Sequence, residues 1–261
     1  MGLDLPGIAL AWTIGFLDYD TFMPWGVRAI RFSSFLMANA SAPSDAWAVV
    51  IGGVPENSAY QRAVGIRQET GSFLDATATP TVQPGRMDWN FTPSEILPHP
   101  GAATLGDFPG ATDRYLEPVS RWIRSQQFPS VKRFALGLDL TEPTDTRESG
   151  YARLRHFVDA VPQGDVTDFS YQVNRPRPSG IGISELRINR LAQWSVSQLL
   201  RLSLTAGSSP EITSPLSLVS LSLDVNTSAE FVGPIPRDVL GPLLEDLKAG
   251  AIEIAEHGDR V

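Results

Sequence analysis

The sequence predicts an α+β protein, with antiparallel or mixed sheets, helices on one face and an internally duplicated β-β-β-α unit. Two stretches predict it, RFALGLDLTEPTD at residues 133–145 and LVSLSLDVNTSAE at residues 218–230. In each, an apolar alternation runs into Leu-x-Leu-Asp, and a helix-like segment follows. Asp139 and Asp224 thereby fall at matching positions, each behind two or more β-like segments. The expected organisation is an N-terminal extension (1–66), a first α+β unit (67–162) and a second (163–261), with one continuous domain as the alternative. Chance similarity between two amphipathic strands is the competing explanation of the repeat.

The elements follow in order. GIALAWTIGFL, residues 7–17, is about half the length of a membrane span and reads as a buried strand or helix. VRAIRFSSFLMANA suits a helix and a strand about equally, and SAPSD reads as a turn. RQETGSFLDATATPTV is β-like. A QPG turn joins it to RMDWNF, whose Met87 and Trp89 share a face. Residues 92–114 read as a loop. A helix then takes Pro118 in its first turn, turns Val119, Trp122 and Ile123 to one side, and ends before Pro129.

The next strand, 131–141, points Phe134, Leu136, Leu138 and Leu140 one way and Ala135, Gly137, Asp139 and Thr141 the other. Asp145 and Glu148 have capping-box spacing ahead of a helix carrying Tyr151, Leu154, Phe157, Val158 and Val161. DFSYQVNRPRPSG is a strand with a proline-punctuated turn. ELRINRLAQWSVSQLLRLSL is long enough to need a bulge near Gln198–Leu200. SSPEITSP reads as a loop, and 218–227 as a strand with Val219, Leu221, Leu223 and Val225 on one face. The last helix repeats leucine at helical spacing, begins near Pro242 and is capped by Gly258.

Composition removes several function classes. The chain has 261 residues, no cysteine, three separated histidines and a formal charge of −8. Thiol chemistry, disulfides and the common zinc patterns are therefore absent, and no cofactor or metal is expected. Net negative charge disfavours nucleic acid and anionic membranes. GxSxG, GxxxxGK[ST] and GxGxxG are all missing. A cytoplasmic location is expected.

Three constellations remain. Asp139 and Asp224 could meet across a pseudo-two-fold axis as an acid/base pair or hold a divalent cation. Against that, neither is followed by Thr-Gly or Ser-Gly, and polar-face alternation already accounts for both. Arg175, Arg177, Arg187 and Arg190 form the densest basic stretch, suited to an anion or an RNA backbone or, more simply, to pairing with the chain's own carboxylates. Trp25 and Trp47 adjoin loop punctuation and are candidate interface residues.

In its second half the chain resembles a sporadically distributed, uncharacterised family of bacterial proteins of about 260 residues. SYQVNRPRP, ELRINRLAQW, SLSLDVNTSAEF and LLEDLKAGAIEIAEHG carry the likeness, over roughly residues 165–258. The resemblance implies no catalytic residue. Its patchy distribution is compatible with defence-associated or toxin-partner genes. The expected function is thus a non-enzymatic cytoplasmic interaction subunit, an accessory, sensor or immunity component of a bacterial defence or toxin system. It would work with a protein partner or as a homo-oligomer. The alternatives are a metal-dependent hydrolase through Asp139 and Asp224, and an anion- or RNA-binding protein through the arginines.

Overall fold

Apolar–polar alternation places one strand, Val131–Thr144, near the middle of the molecule, and every other element is arranged around it. The computed structural model describes residues 25–43, 45–94, 102–164, 166–203 and 211–260. The 7–17 segment lies outside the described residues, as do residues 208–210 of the expected loop.

Among the described residues, ten strands form one sheet: β1 (Gly26–Leu36), β2 (Asn57–Gln61), β3 (Ile66–Phe73), β4 (Ala76–Gln83), β5 (Arg86–Pro93), β6 (Val131–Thr144), β7 (Ser170–Asn174), β8 (Arg177–Pro178), β9 (Arg187–Ser203) and β10 (Glu211–Thr227). Their order is β2-β3-β4-β5-β1-β6-β10-β9-β7, with β8 also on β9, and the pairings are antiparallel. Four helices among the described residues, α1 (Ala46–Val50), α2 (Gly110–Ile123), α3 (Arg147–Leu154) and α4 (Leu240–His257), give the α+β architecture.

All four helices lie on the apolar face, as expected. Trp122 of α2 meets Trp89 and Phe128 edge-on, and Tyr115 packs on Phe91. Trp47 of α1 stands against Gly71, and Gly150 of α3 against Val196. Trp25 donates from Nε1 to the carbonyl of Ala255 in α4 at 3.1 Å. Phe32, Phe134, Leu136, Leu138, Leu221, Leu223 and Trp194 supply the sheet side of this core. Their burial is the main stabilising term.

Several elements differ from the sequence reading. VRAIRFSSFL is a strand, with a bulge at Arg28 that puts Val27 on the same face as Ile30. Residues 26–36, assigned to an N-terminal extension, lie between β5 and β6. The stretch from Arg67 to Val82 is two strands joined through Leu74, whose φ of 55° permits a turn without glycine. Pro118 sits in the interior of α2. The helix starts at Gly110 because Ala111, Tyr115 and Leu116 extend its buried side by two turns.

The capping box before α3 is Thr146 with Ser149, one residue beyond the expected pair. The irregularity near Leu200 falls on the facing strand, at Ser214–Pro215, where proline cannot donate to the ladder. Glu211–Pro215, expected in a loop, begins β10. Pro242 falls in the first turn of α4, and Gly258 caps it.

The two Leu-x-Leu-Asp strands are neighbours. Leu138 faces Leu223, Asp139 faces Ser222 and Asp224 faces Gly137. This register places a local two-fold axis at the Leu138–Leu223 pair. Two adjacent strands between the same core and the same polar face meet the same demands, which accounts for their similarity. Their settings differ: β6 is entered from α2 and flanked by β1, whereas β10 follows β9 directly.

Candidate functional site

The second face of the sheet carries none of the four described helices, and its centre holds Asp139 and Asp224. They lie on adjacent strands two positions out of register, a diagonal spacing of about 7–8 Å between backbones. Both are inside long strands and not at strand ends, because β6 continues to Thr144 and β10 to Thr227. Each carboxylate has its own partners. Asp139 accepts from Ser222 Oγ at 2.8 Å. Asp224 accepts from Asn226 Nδ2 at 2.8 Å and pairs with Arg31 at 3.2 Å.

Arg31 was not anticipated as a site residue. It starts on β1 and reaches over β6 to Asp224 on β10, and the register aligns Arg31, Gly137 and Asp224 in one row. Gly137 makes the crossing possible. A Cβ at that position would lie 3.2 Å from two guanidinium nitrogens of Arg31. A glycine inside a strand weakens it, so the close approach is the physical reason for glycine here. A strand-interior Gly between Leu136 and Leu138 was the available sequence signal, but nothing in the sequence linked it to Arg31.

Around this bridge lies a shallow groove of about 290 Å³, lined among others by Asn90, Thr92, Asp139 and Ser222. From it an exposed polar row, Asp139–Ser222–Gln193–Gln172, crosses four strands in register. Next to the bridge, Asn226 also receives hydrogen bonds from Arg133 at 2.8 Å and Asn189 at 3.1 Å. Arg133 and Arg86 both stand over the ring of Phe35. A proton-sharing dyad needs direct contact between the carboxyl groups; here other donors occupy each one. Among the described residues, no three His, Asp or Glu side chains converge as a cation site would require.

The arginine stretch is dispersed along the β7–β9 edge. Arg175 pairs with Asp259 at 2.6 Å, Arg177 with Asp246 at 2.6 Å, and Arg190, 7% exposed and on the core side, with Glu253 at 2.7 Å. Arg187 donates to the carbonyl of Pro176. Three of the four therefore tie the sheet edge to α4 and the turn after it. Trp25 and Trp47 are 0% and 3% exposed. Both belong to the core and offer no surface to a partner, correcting the expectation from their loop positions.

Displaced titrations mark the struts between helices and sheet. Burial, then the Asp75 carboxylate, pushes the Tyr115 hydroxyl up to about 12, and this pair ties the β3–β4 turn to α2. At Asp246 burial pushes upward. Donation by Arg177, the Gly180 amide and Ser179 outweighs it and holds the carboxyl below its usual range. A depressed carboxyl contributes stability above its unfolded pKa of about 3.9 and loses it as pH falls through the folded value. Asp246→Asn is therefore expected to melt roughly 5 °C below the parent at pH 7. The gap should close as pH falls through the carboxyl's folded pKa. Thermal melts of both proteins across pH 2–7 check this.

No family model, curated protein or solved structure matches the chain. Among the described residues, no helix is long and apolar enough to cross a membrane.

Proposed function

We propose that this protein is a non-enzymatic interaction subunit that binds a protein partner through the helix-free face of its sheet. The observation that supports this reading is the exposed row Asp139–Ser222–Gln193–Gln172 beside the Arg31–Asp224 bridge. Its side chains are short or of moderate length and none is lysine. Burying them costs less rotamer entropy than burying a lysine-covered sheet. The row offers hydroxyl and amide groups for hydrogen bonding, and the ion pair beside it is internally neutralised. It therefore suits a flat polar protein surface better than a polyanion. It displays no exposed aromatic ring on which a sugar or base would stack.

Ser222→Tyr and Gln193→Tyr place bulky strand-forming residues on this row without touching the core. Native mass spectrometry of the tagged protein purified from its host should find a stoichiometric protein with the parent and lose it with both variants, at unchanged melting temperature. Retention of that protein by both variants would sink the reading. A metal carried by the parent and lost in Asp139→Asn and Asp224→Asn would favour the hydrolase alternative.

A further inference from the structure

The two ends of the sheet are defended differently. At one end β7 is followed by Arg175, Pro176 and Pro178, and β8 has only two residues. Charge, proline and short strands are the usual ways of keeping an edge from pairing with another chain. At the other end lies β2, Asn57-Ser58-Ala59-Tyr60-Gln61, which pairs with β3 on one side and ends the sheet among the described residues. All five residues are exposed, and none is charged, proline or glycine. Tyr60 is 62% exposed and Val64, in the adjoining turn, 52%. A groove of about 510 Å³ lies alongside, lined by Pro43, Ser58, Ala59, Tyr60, Arg67 and Val82, among others.

The charges flanking β2 are self-complementary. Glu56 precedes it and Arg62 follows it, each three residues from Ala59, and both are exposed. We propose that β2 pairs antiparallel with β2 of a second copy of this chain, about a two-fold axis through Ala59. The axis sets Ala59 against its counterpart, Ser58 against Tyr60 and Asn57 against Gln61. It also sets Glu56 of each copy against Arg62 of the other, giving two equivalent ion pairs. Opposed residues always differ by an even number, so their backbone groups have matching orientation and the ladder closes. The partner's Tyr60 arrives beside Ser58, at the groove.

Ser72 prepares the acid. Its amide and hydroxyl both donate to Oε1 of Glu56, at 2.9 and 2.6 Å, and among the described residues no side chain donates to Oε2. A five-residue strand pair buries less than the surface of a stable complex, so the dimer forms at about 10–100 μM and dissociates on dilution.

Sedimentation velocity on the full chain tests this. The parent should show a concentration-dependent monomer–dimer equilibrium. Arg62→Glu opposes acid to acid twice, Glu56→Arg opposes base to base twice, and each should raise the dissociation constant about tenfold. An equimolar mixture of the two variants restores both ion pairs and should dimerise to within about threefold of the parent. Ala59→Lys sets two ammonium groups directly opposite each other at an exposed position. It should also yield monomer, independently of the Glu56–Ser72 bond. A parent that stays monomeric at 100 μM would overturn the proposal, as would Arg62→Glu or Ala59→Lys dimerising like the parent. So would a mixture that associates no better than its components.

Discussion

Trp25→Ala is expected to destabilise the protein by about 3–5 kcal/mol, a large share of the 5–15 kcal/mol typical of a folded domain. The indole is fully buried, packs on Phe157 with ring centroids 5.3 Å apart, and donates to the carbonyl of Ala255. It therefore joins the start of β1 to the end of α4, two segments 230 residues apart in sequence. Truncation removes that apolar surface, leaves a cavity between sheet and helix, and strands a carbonyl without its donor. Trp25→Phe keeps most of the ring volume and loses the hydrogen bond, so its cost should fall to about 1–2 kcal/mol. Urea unfolding of the three proteins gives both values. A midpoint unchanged in Trp25→Ala would return Trp25 to the role of an interface side chain.

What was legible in the sequence divides along physical lines. β6 and residues 218–227 of β10 could be read because period-two alternation coincides with one buried and one polar face, and α4 because its leucines keep helical spacing. β1 was ambiguous for an identifiable reason. The extra residue at Arg28 shifts the alternation by one, so Val27 and Ala29 cannot share a face as a regular strand requires. The β3–β4 turn was hidden because Leu74 adopts a positive φ where glycine or asparagine is the usual signal.

The two aspartates of the candidate site were found, since alternation alone places them on the polar face. Arg31 was not, because its partnership with Asp224 depends on β1 lying next to β6 and β6 next to β10. That order joins segments 193 residues apart. Nor could sequence show that Arg175, Arg177 and Arg190 would each be met by a carboxylate from the C-terminal α4 and its following turn.

That C-terminal turn carries the second large effect. Gly258→Ala is expected to cost at least about 3 kcal/mol, from two sources that a neighbouring chain cannot relieve cheaply. Gly258 has φ 67° and ψ −138°, a backbone region that residues with a side chain rarely adopt. A Cβ there would also lie 2.1 Å from the carbonyl oxygen of Phe157 and 2.5 Å from its Cα, both of them backbone atoms. The approach exists because the amide of Asp259 donates to that same carbonyl at 2.8 Å. Asp259 in turn pairs with Arg175 at 2.6 Å and accepts from the Tyr171 hydroxyl, so the turn fastens β7 to α4. Forcing the two backbones apart should release that edge together with the helix end. Gly164 provides the control: its φ is 92°, but a Cβ there meets nothing within 4 Å. Gly164→Ala should therefore show only the backbone term, about 1 kcal/mol. In amide exchange, Gly258→Ala should lose protection along Ser170–Asn174 as well as in the last turn of α4, whereas Gly164→Ala should preserve both. Equal melting temperatures for the two variants would refute the close approach at Phe157 as the reason for glycine at 258.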